Sequence, residues 1–187
     1  TAKAWCDLQG WGKNYKVGQT GIDTLLEFER KIKAKKQKKI LITLHRRENY
    51  GNLAKIMEKV ETFLLEHLDW RAIMPVHPNP NVSRTIYGLN LGTQIKLVKP
   101  LGYFEMIKEM KESSLIVTDS GGIQEEASAL KIPVYVARSI TERPEGIEQG
   151  FAKYLSDYIE IFKVPNKKNP YGDGKAGKRI AKILNNI

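Results

Sequence analysis

At 187 residues, with 41% hydrophobic and 28% charged side chains, the chain suits one globular domain, or a domain with a short appendage. No apolar run reaches the ~20 residues that span a bilayer, no signal peptide is visible at the start, and the lone Cys6 excludes an internal disulfide or a cysteine zinc site, so a reducing cytoplasm is expected. The formal net charge of +10 is compatible with nucleic acid, an anionic membrane or an anionic small substrate, and equally with a solvated lysine-rich surface, which is the reading preferred.

Residues 1–16 carry Trp5 and Trp11 without a clear period and read as an irregular linker or strap. Residues 17–187 read as the domain proper, in which β-rich runs alternate with amphipathic segments, the signature of βαβ units. A helix is predicted from about Thr20 to Lys36, with Lys31, Lys33, Lys35, Lys36, Lys38 and Lys39 at its frayed C-terminal end, where cations complement the helix dipole. Ile40 to Thr43 is a buried strand candidate. The next helix carries Leu53, Ile56, Val60, Phe63, Leu64 and His67 on one face. A strand near Ala72 to Val76, a helix near Val82 to Leu89 and a strand at Ile95 to Val98 follow. Then come a helix around Tyr103 to Lys111, a strand at Leu115 to Thr118, a helix over Gly122 to Leu130 and a strand at Pro133 to Val136. A last helix spans about Lys175 to Leu184; Lys167, Lys168, Lys175 and Lys178 supply most of the remaining charge excess.

Strands joined by helices and read as near-continuous apolar runs imply a doubly wound parallel sheet covered on both faces. In such α/β folds ligands sit beyond the carboxyl ends of the strands. The polar peculiarities obey that geometry: HRRENYG follows Thr43, HPNP follows Val76, KPLGY follows Val98, DSGG follows Thr118 and SITERPE follows the strand ending at Val136.

In TDSGGIQEEA, Thr118 to Ala127, a strand ends, Asp119 and Ser120 can cap, Gly121 and Gly122 allow close backbone approach, and a helix begins. Free N–H groups at such a helix start make a phosphate site, although a capped helix with acidic first-turn residues needs no ligand. The segment matches neither the dinucleotide nor the P-loop glycine pattern. HRRENYG gathers an imidazole, two guanidiniums and a carboxylate at one strand end, suited to phosphate binding and proton transfer; the alternative is a surface pair between Glu48 and Arg46 or Arg47. His77 sits in turn chemistry and reads equally well as structural. His67 reads as a packed or dipole-stabilised residue. TERPE, Thr141 to Glu145, reads by itself as a rigid turn with local salt bridges.

Together HRRENYG, PVHPNPNV, PLGY, TDSGGIQEEASAL, TERPEGIEQG and NPYGDGKAGKRI resemble, in order, the C-terminal half of the non-hydrolysing UDP-N-acetylglucosamine 2-epimerases, from about Val17 to the end of the chain. The resemblance implies one Rossmann-like half of a two-domain GT-B enzyme that interconverts UDP-GlcNAc and UDP-ManNAc by eliminating and re-adding UDP, in the service of cell-surface polysaccharide biosynthesis. It implies that His45 acts near the departing UDP, that Ser120, Gly121 and Gly122 form the diphosphate loop, that Glu126 holds the ribose and that Arg143 approaches the phosphates. It assigns Arg46, Arg47 and His77 to an effector site for a second UDP-GlcNAc. It implies no cofactor and no metal, and as partners UDP or UDP-GlcNAc with a second copy or an N-terminal domain, rather than nucleic acid or membrane.

The departures from the family pattern are specific. An aspartate usual after the PL motif is Gly102, an aromatic position downstream is Met106, and the stretch between TERPE and NPYGDG is short enough to have lost a helix. The family's N-terminal domain, with the carboxylates that exchange the C2 proton, has no counterpart in this sequence. The chain is therefore expected to bind UDP better than it catalyses. Competing readings are the donor domain of a GT-B glycosyltransferase, a non-catalytic UDP-sugar-binding or regulatory domain, and nucleic-acid binding through the lysine excess.

Overall fold

The computed structural model describes residues 13–186; Trp5, Cys6 and Trp11, and with them most of the expected strap, lie outside these residues. Six strands, β1 (Lys39–Thr43), β2 (Arg71–Pro75), β3 (Ile95–Val98), β4 (Leu115–Thr118), β5 (Val134–Val136) and β6 (Ala152–Tyr154), form one sheet in the order β3-β2-β1-β4-β5-β6. Every pairing is parallel. Helices α1 (Thr20–Glu29), α2 (Leu53–Glu66), α3 (Pro80–Gly88), α4 (Tyr103–Glu112), α5 (Gly121–Ala129), α6 (Pro144–Glu148) and α7 (Ala176–Leu184) occupy the connections and the ends.

Alternation along the strands divides the core. Ile40 and Ile42 of β1, Leu115 and Val117 of β4 and Tyr135 of β5 pack with α2 and α3 on one face of the sheet. Leu41, Ile116, Val134 and Val136 point the other way, onto Met110 of α4 and Ala127 of α5. Ile22 and Leu25 of α1 close that second layer over Ile107 and Tyr171. Burial on both faces explains why these strands are apolar runs, and the layering is that of a doubly wound α/β domain.

The strand order reverses direction between β1 and β4. Their ends are in register, Thr43 against Thr118, and the two buried hydroxyls meet at 2.6 Å. The crevice above that pair is where a Rossmann-like sheet receives its ligand.

Three expectations need correction. The helix from Thr20 stops at Glu29. Lys111, reaching across from α4, donates to the carbonyls of Glu29 and Ile32 at 2.6 and 2.8 Å and so takes up the acceptors at the helix end. Lys39 is consequently no frayed helix cation. It opens β1, is 4% exposed, and its ammonium lies 2.6 Å from Glu109 and 2.8 Å from Glu112. Lys33, Lys35, Lys36, Lys167, Lys168, Lys175 and Lys178 do lie exposed.

The third correction concerns TERPE, which leads into a short helix and a strand. Arg143 precedes α6, Pro144 supplies the first helical position, where its missing N–H costs nothing, and Gly150 at φ 81° ends the helix. There Phe151 N–H returns to Gly146 O at 2.8 Å and Gly150 N–H to Ile147 O at 3.0 Å, the paired bonds of a Schellman end. β6 then pairs with β5. Beyond it residues 155–170 form no regular element before α7.

Candidate ligand site at the switch point

The site is organised by a residue that the sequence suggested only as a cap. Asp119 is fully buried at the end of β4. Its carboxylate accepts from the backbone N–H of His45 at 3.1 Å, from that of Arg46 at 2.9 Å and from Asn49 Nδ2 at 2.9 Å. The His45 ring completes the set, with Nδ1 3.1 Å from Oδ1. Asn49 also donates to Ala137 O at 2.7 Å, so one carboxylate ties together the chain leaving β1, β4 and β5. Burial pushes the Asp119 carboxyl upward; the His45 ring, Arg46 N–H, Asn49 amide and His45 N–H pull the other way, and the balance lies below the usual carboxylate value. Asn49 and Asp119 sit in plain view within the HRRENYG and TDSGG loops, but no spacing rule links residues that only the sheet brings together.

Ser120, not Asp119, caps α5: its hydroxyl accepts from Ile123 N–H at 3.5 Å. The helix therefore begins at the crevice with Gly121 and Gly122, whose backbone is uncovered by side chains of their own. A Cβ on Gly121 would come within 3.6 Å of the Arg143 guanidinium, which places that cation over the helix start. Arg143 is held there by Glu125, a buried carboxylate that also accepts from Gln19 Nε2 at 3.2 Å. TERPE is thus pinned by a partner on α5 as well as by its own acids.

Glu126, the next residue, is half-buried and accepts from Tyr103 Oη at 3.1 Å. Burial raises its carboxyl; the Tyr103 hydrogen bond opposes this, neighbouring Glu125 adds to it, and the group ends above its usual value. Burial and the charge of Glu126 push the Tyr103 phenol up to about 12.

A cavity of about 340 Å³ opens at the same strand ends. Leu101, Met106 and Ile123 give it an apolar wall, while His45, His77 and Ser120 provide its polar groups. The volume is at the small end of the ~300–1,000 Å³ common for ligand clefts. Met106, one of the departures noted above, therefore faces the cavity. Gly102, the other, precedes α4, where Glu105 turns back to accept its N–H at 2.9 Å. His77 stacks on His45 with centroids 5.8 Å apart, and its loop is shaped by Asn79, whose Oδ1 caps α3.

The structure thus brings His45, His77 and Ser120 to one cavity and sets Arg143 over Gly121 nearby, whereas Glu126 turns to Tyr103. Arg46 is half-buried with its Nε unbonded, and Arg47 is exposed. Glu48 pairs with neither arginine. It meets Arg138 at 2.6 Å instead, because Arg138 follows β5 into the same crowded edge; Arg138 went unremarked in the sequence. His67 is packed, its ring stacked 4.1 Å from Phe63.

Fold and site together define a Rossmann-like domain with an anion-suited helix start and two imidazoles at the switch point of its sheet. Residues 12–185 match the family described as UDP-N-acetylglucosamine 2-epimerase, and the chain belongs to that family. It is 41% identical to the UDP-N-acetylglucosamine 2-epimerase of Salmonella borreze, over 88% of this chain and 48% of that one. It is 37% identical to that of Campylobacter jejuni, over 98% and 58%. Among solved structures, the UDP-GlcNAc 2-epimerase of Neisseria meningitidis bound to UDP-GlcNAc superposes with a TM-score of 0.80 at 32% identity, over 91% of this chain and 55% of that one. The Methanocaldococcus jannaschii enzyme in complex with UDP-GlcNAc and UDP gives 0.78 at 32% identity, over 96% and 57%. The chain spans about half the length of the relatives it matches.

Proposed function

We propose that this domain is the UDP-binding half of a UDP-N-acetylglucosamine 2-epimerase of the two-domain GT-B kind, acting in the cytoplasm on UDP-GlcNAc and UDP-ManNAc. The observation that carries the reading is the α5 start, where the backbone of Gly121 and exposed Gly122, the capping Ser120 and the Arg143 guanidinium converge at the β1/β4 crevice beside His45. Such a start, with its dipole, accommodates a diphosphate. Breaking the sugar C1–O bond leaves negative charge on that diphosphate. Preorganised N–H groups and an arginine stabilise charge where it develops, and His45 is the group in reach that can carry a proton to or from the departing oxygen. Glu126 is taken as the ribose acceptor, with Tyr103 holding one of its oxygens and leaving the other for a hydroxyl. Two relatives, one solved bound to UDP-GlcNAc and one in complex with UDP-GlcNAc and UDP, lend support to the ligand class.

The C2 proton is removed and returned by carboxylates that the resemblance assigns to the other half of the enzyme, supplied by an N-terminal domain or a partner chain. The domain alone is therefore expected to bind UDP and not to epimerise. Calorimetric titration with UDP and UDP-GlcNAc, followed by an NMR assay of the same sample for UDP-ManNAc, tests both statements. Turnover by this chain alone would mean that it holds its own base and would overturn the division of labour. Salt-sensitive binding of arbitrary DNA without competition from UDP would favour the lysine-rich surface as the functional one.

A further inference from the structure

The two histidines at the cavity are held by different kinds of partner. In a neutral imidazole one nitrogen donates and the other accepts, and the bond made by the first decides the role of the second. His45 Nδ1 lies 3.1 Å from Asp119 Oδ1. An ionised carboxylate only accepts, so Nδ1 carries the proton and Nε2 is left with a lone pair. His77 Nδ1 lies 3.2 Å from the backbone N–H of Asn79. That group only donates, so here Nδ1 accepts and the proton sits on Nε2. The rings stack with planes 24° from parallel.

We infer that Asp119 and the Asn79 N–H are positioning groups that hold the stacked rings in opposite tautomers, so that one ligand meets an acceptor Nε2 on His45 and a donor Nε2–H on His77. Both positioning groups are themselves fixed. Every contact the Asp119 carboxylate makes is with an N–H donor on His45, Arg46 or Asn49, which keeps it an anion and leaves it no second position. Asn79 is tied down from the other side, since its Oδ1 accepts from Asn81 N–H at 2.9 Å and its amide donates to Tyr50 Oη at 3.2 Å. Asp119 so acts through His45 rather than on a ligand, as a buried acid does when it fixes the tautomer of a catalytic imidazole. The consequence for chemistry rests on the nucleotide-sugar reading: His77 gives a hydrogen bond to an anionic oxygen without changing charge, and His45 Nε2 is the position that gains or releases a proton.

Long-range ¹H–¹⁵N correlation spectra of the labelled chain resolve ring tautomers directly, and only three histidines need assignment, by His45→Gln, His67→Gln and His77→Gln. At a pH where the rings are neutral, the expected spectrum has a protonated Nδ1 and pyridine-like Nε2 for His45, and the reverse for His77. In Asp119→Asn, His45 is expected to change to the Nε2–H form while His77 keeps its pattern. A wild-type His45 already in the Nε2–H form overturns the inference, as does an unchanged His45 pattern in a folded Asp119→Asn. Should that variant not fold, the wild-type pattern alone decides. A UDP titration on the same sample separates the two readings: expected tautomers without UDP binding remove only the nucleotide reading, and bound UDP with the wrong tautomers removes only this one.

Discussion

Glu126 and Arg143 are adjacent to the α5 start for different physical reasons, and their substitutions are expected to differ accordingly. Glu126→Ala removes a half-buried carboxylate that burial holds above its usual pKa; as the proposed ribose acceptor its loss should weaken UDP binding by at least ~1 kcal/mol, hydrogen bonds to charged groups being worth roughly 1.5–3 kcal/mol, at little cost to folding. Arg143→Ala should weaken UDP binding by a similar amount but also destabilise the domain, because it strips Glu125, a buried carboxylate, of its cation. Calorimetry beside thermal unfolding separates the two effects, and unchanged affinity in both variants would remove these residues from the site. Asp119 makes a pH prediction. Its folded-state pKa lies below the ordinary aspartate value, so the folded state binds protons less readily than the unfolded chain. The stability it contributes is present above that value and lost as pH falls through the lower, folded one. Asp119→Asn should therefore flatten the acid limb of a stability-against-pH curve measured by denaturant unfolding, and an acid limb identical to wild type would contradict the role given to this carboxylate. These roles were unevenly legible in the sequence. The helix start at Gly121 and the cluster after Thr43 stood out because each is a local run of unusual residues. The Asp119–His45–Asn49 knot did not, since its members are joined only by the β1/β4 pairing.

At the scale of elements, the sequence yielded what periodicity encodes and missed what distant partners decide. β1 to β5, α2 and α4 were legible from apolar runs and spacing, with boundaries within a residue or two. The end of α1 was not, because it is set by Lys111 from α4; nor was the burial of Lys39, which depends on two glutamates of α4. Lys39→Ala leaves both carboxylates without their cation at the edge of the core and should cost roughly 3 kcal/mol, the usual penalty for breaking a buried pair, read from the midpoint of urea unfolding. A loss below about 0.5 kcal/mol, the level of an ordinary surface change, would show that the pair is solvated. α6 was missed because a helix of five residues carries no usable period, and β6 because Ala152–Tyr154, with an exposed Lys153 at its centre, is no apolar run of the kind that marks the equally short β5. Their position matters nonetheless. A methyl on Gly146 would collide with Tyr171 Oη, a buried group that donates to Arg143 O at 3.2 Å. Gly146→Ala should thus destabilise by about 1–3 kcal/mol, as overpacking does, and should loosen Arg143 enough to lower UDP affinity. Adding Tyr171→Phe should restore part of the stability by removing the colliding oxygen. No recovery in the double variant would place the strain elsewhere.

For the whole molecule, the order β3-β2-β1-β4-β5-β6 gathers five chemically unusual loops at one edge and sets two of them, those after β1 and β4, across the reversal of strand order. That arrangement, more than any single motif, makes the edge the candidate binding surface, and it was foreseeable in outline because strand ends could be read before strand order could. Much of the excess of lysines lies on exposed segments and in exposed ion pairs such as Lys38 with Asp69 and Lys31 with Glu27, which suits a solvated surface. The chain spans about half the length of its relatives; under the proposed function the edge forms one wall of a cleft, and ligand binding is the property this half is expected to hold by itself. The most direct test follows UDP into ¹H–¹⁵N spectra of the assigned chain. The account expects saturable shifts at Ser120, Gly121, Gly122 and Ile123, with His45 and Arg143 following, and little change along α2 or α7. Shifts confined to the lysine-rich segments, or none at the α5 start at saturating UDP, would contradict it.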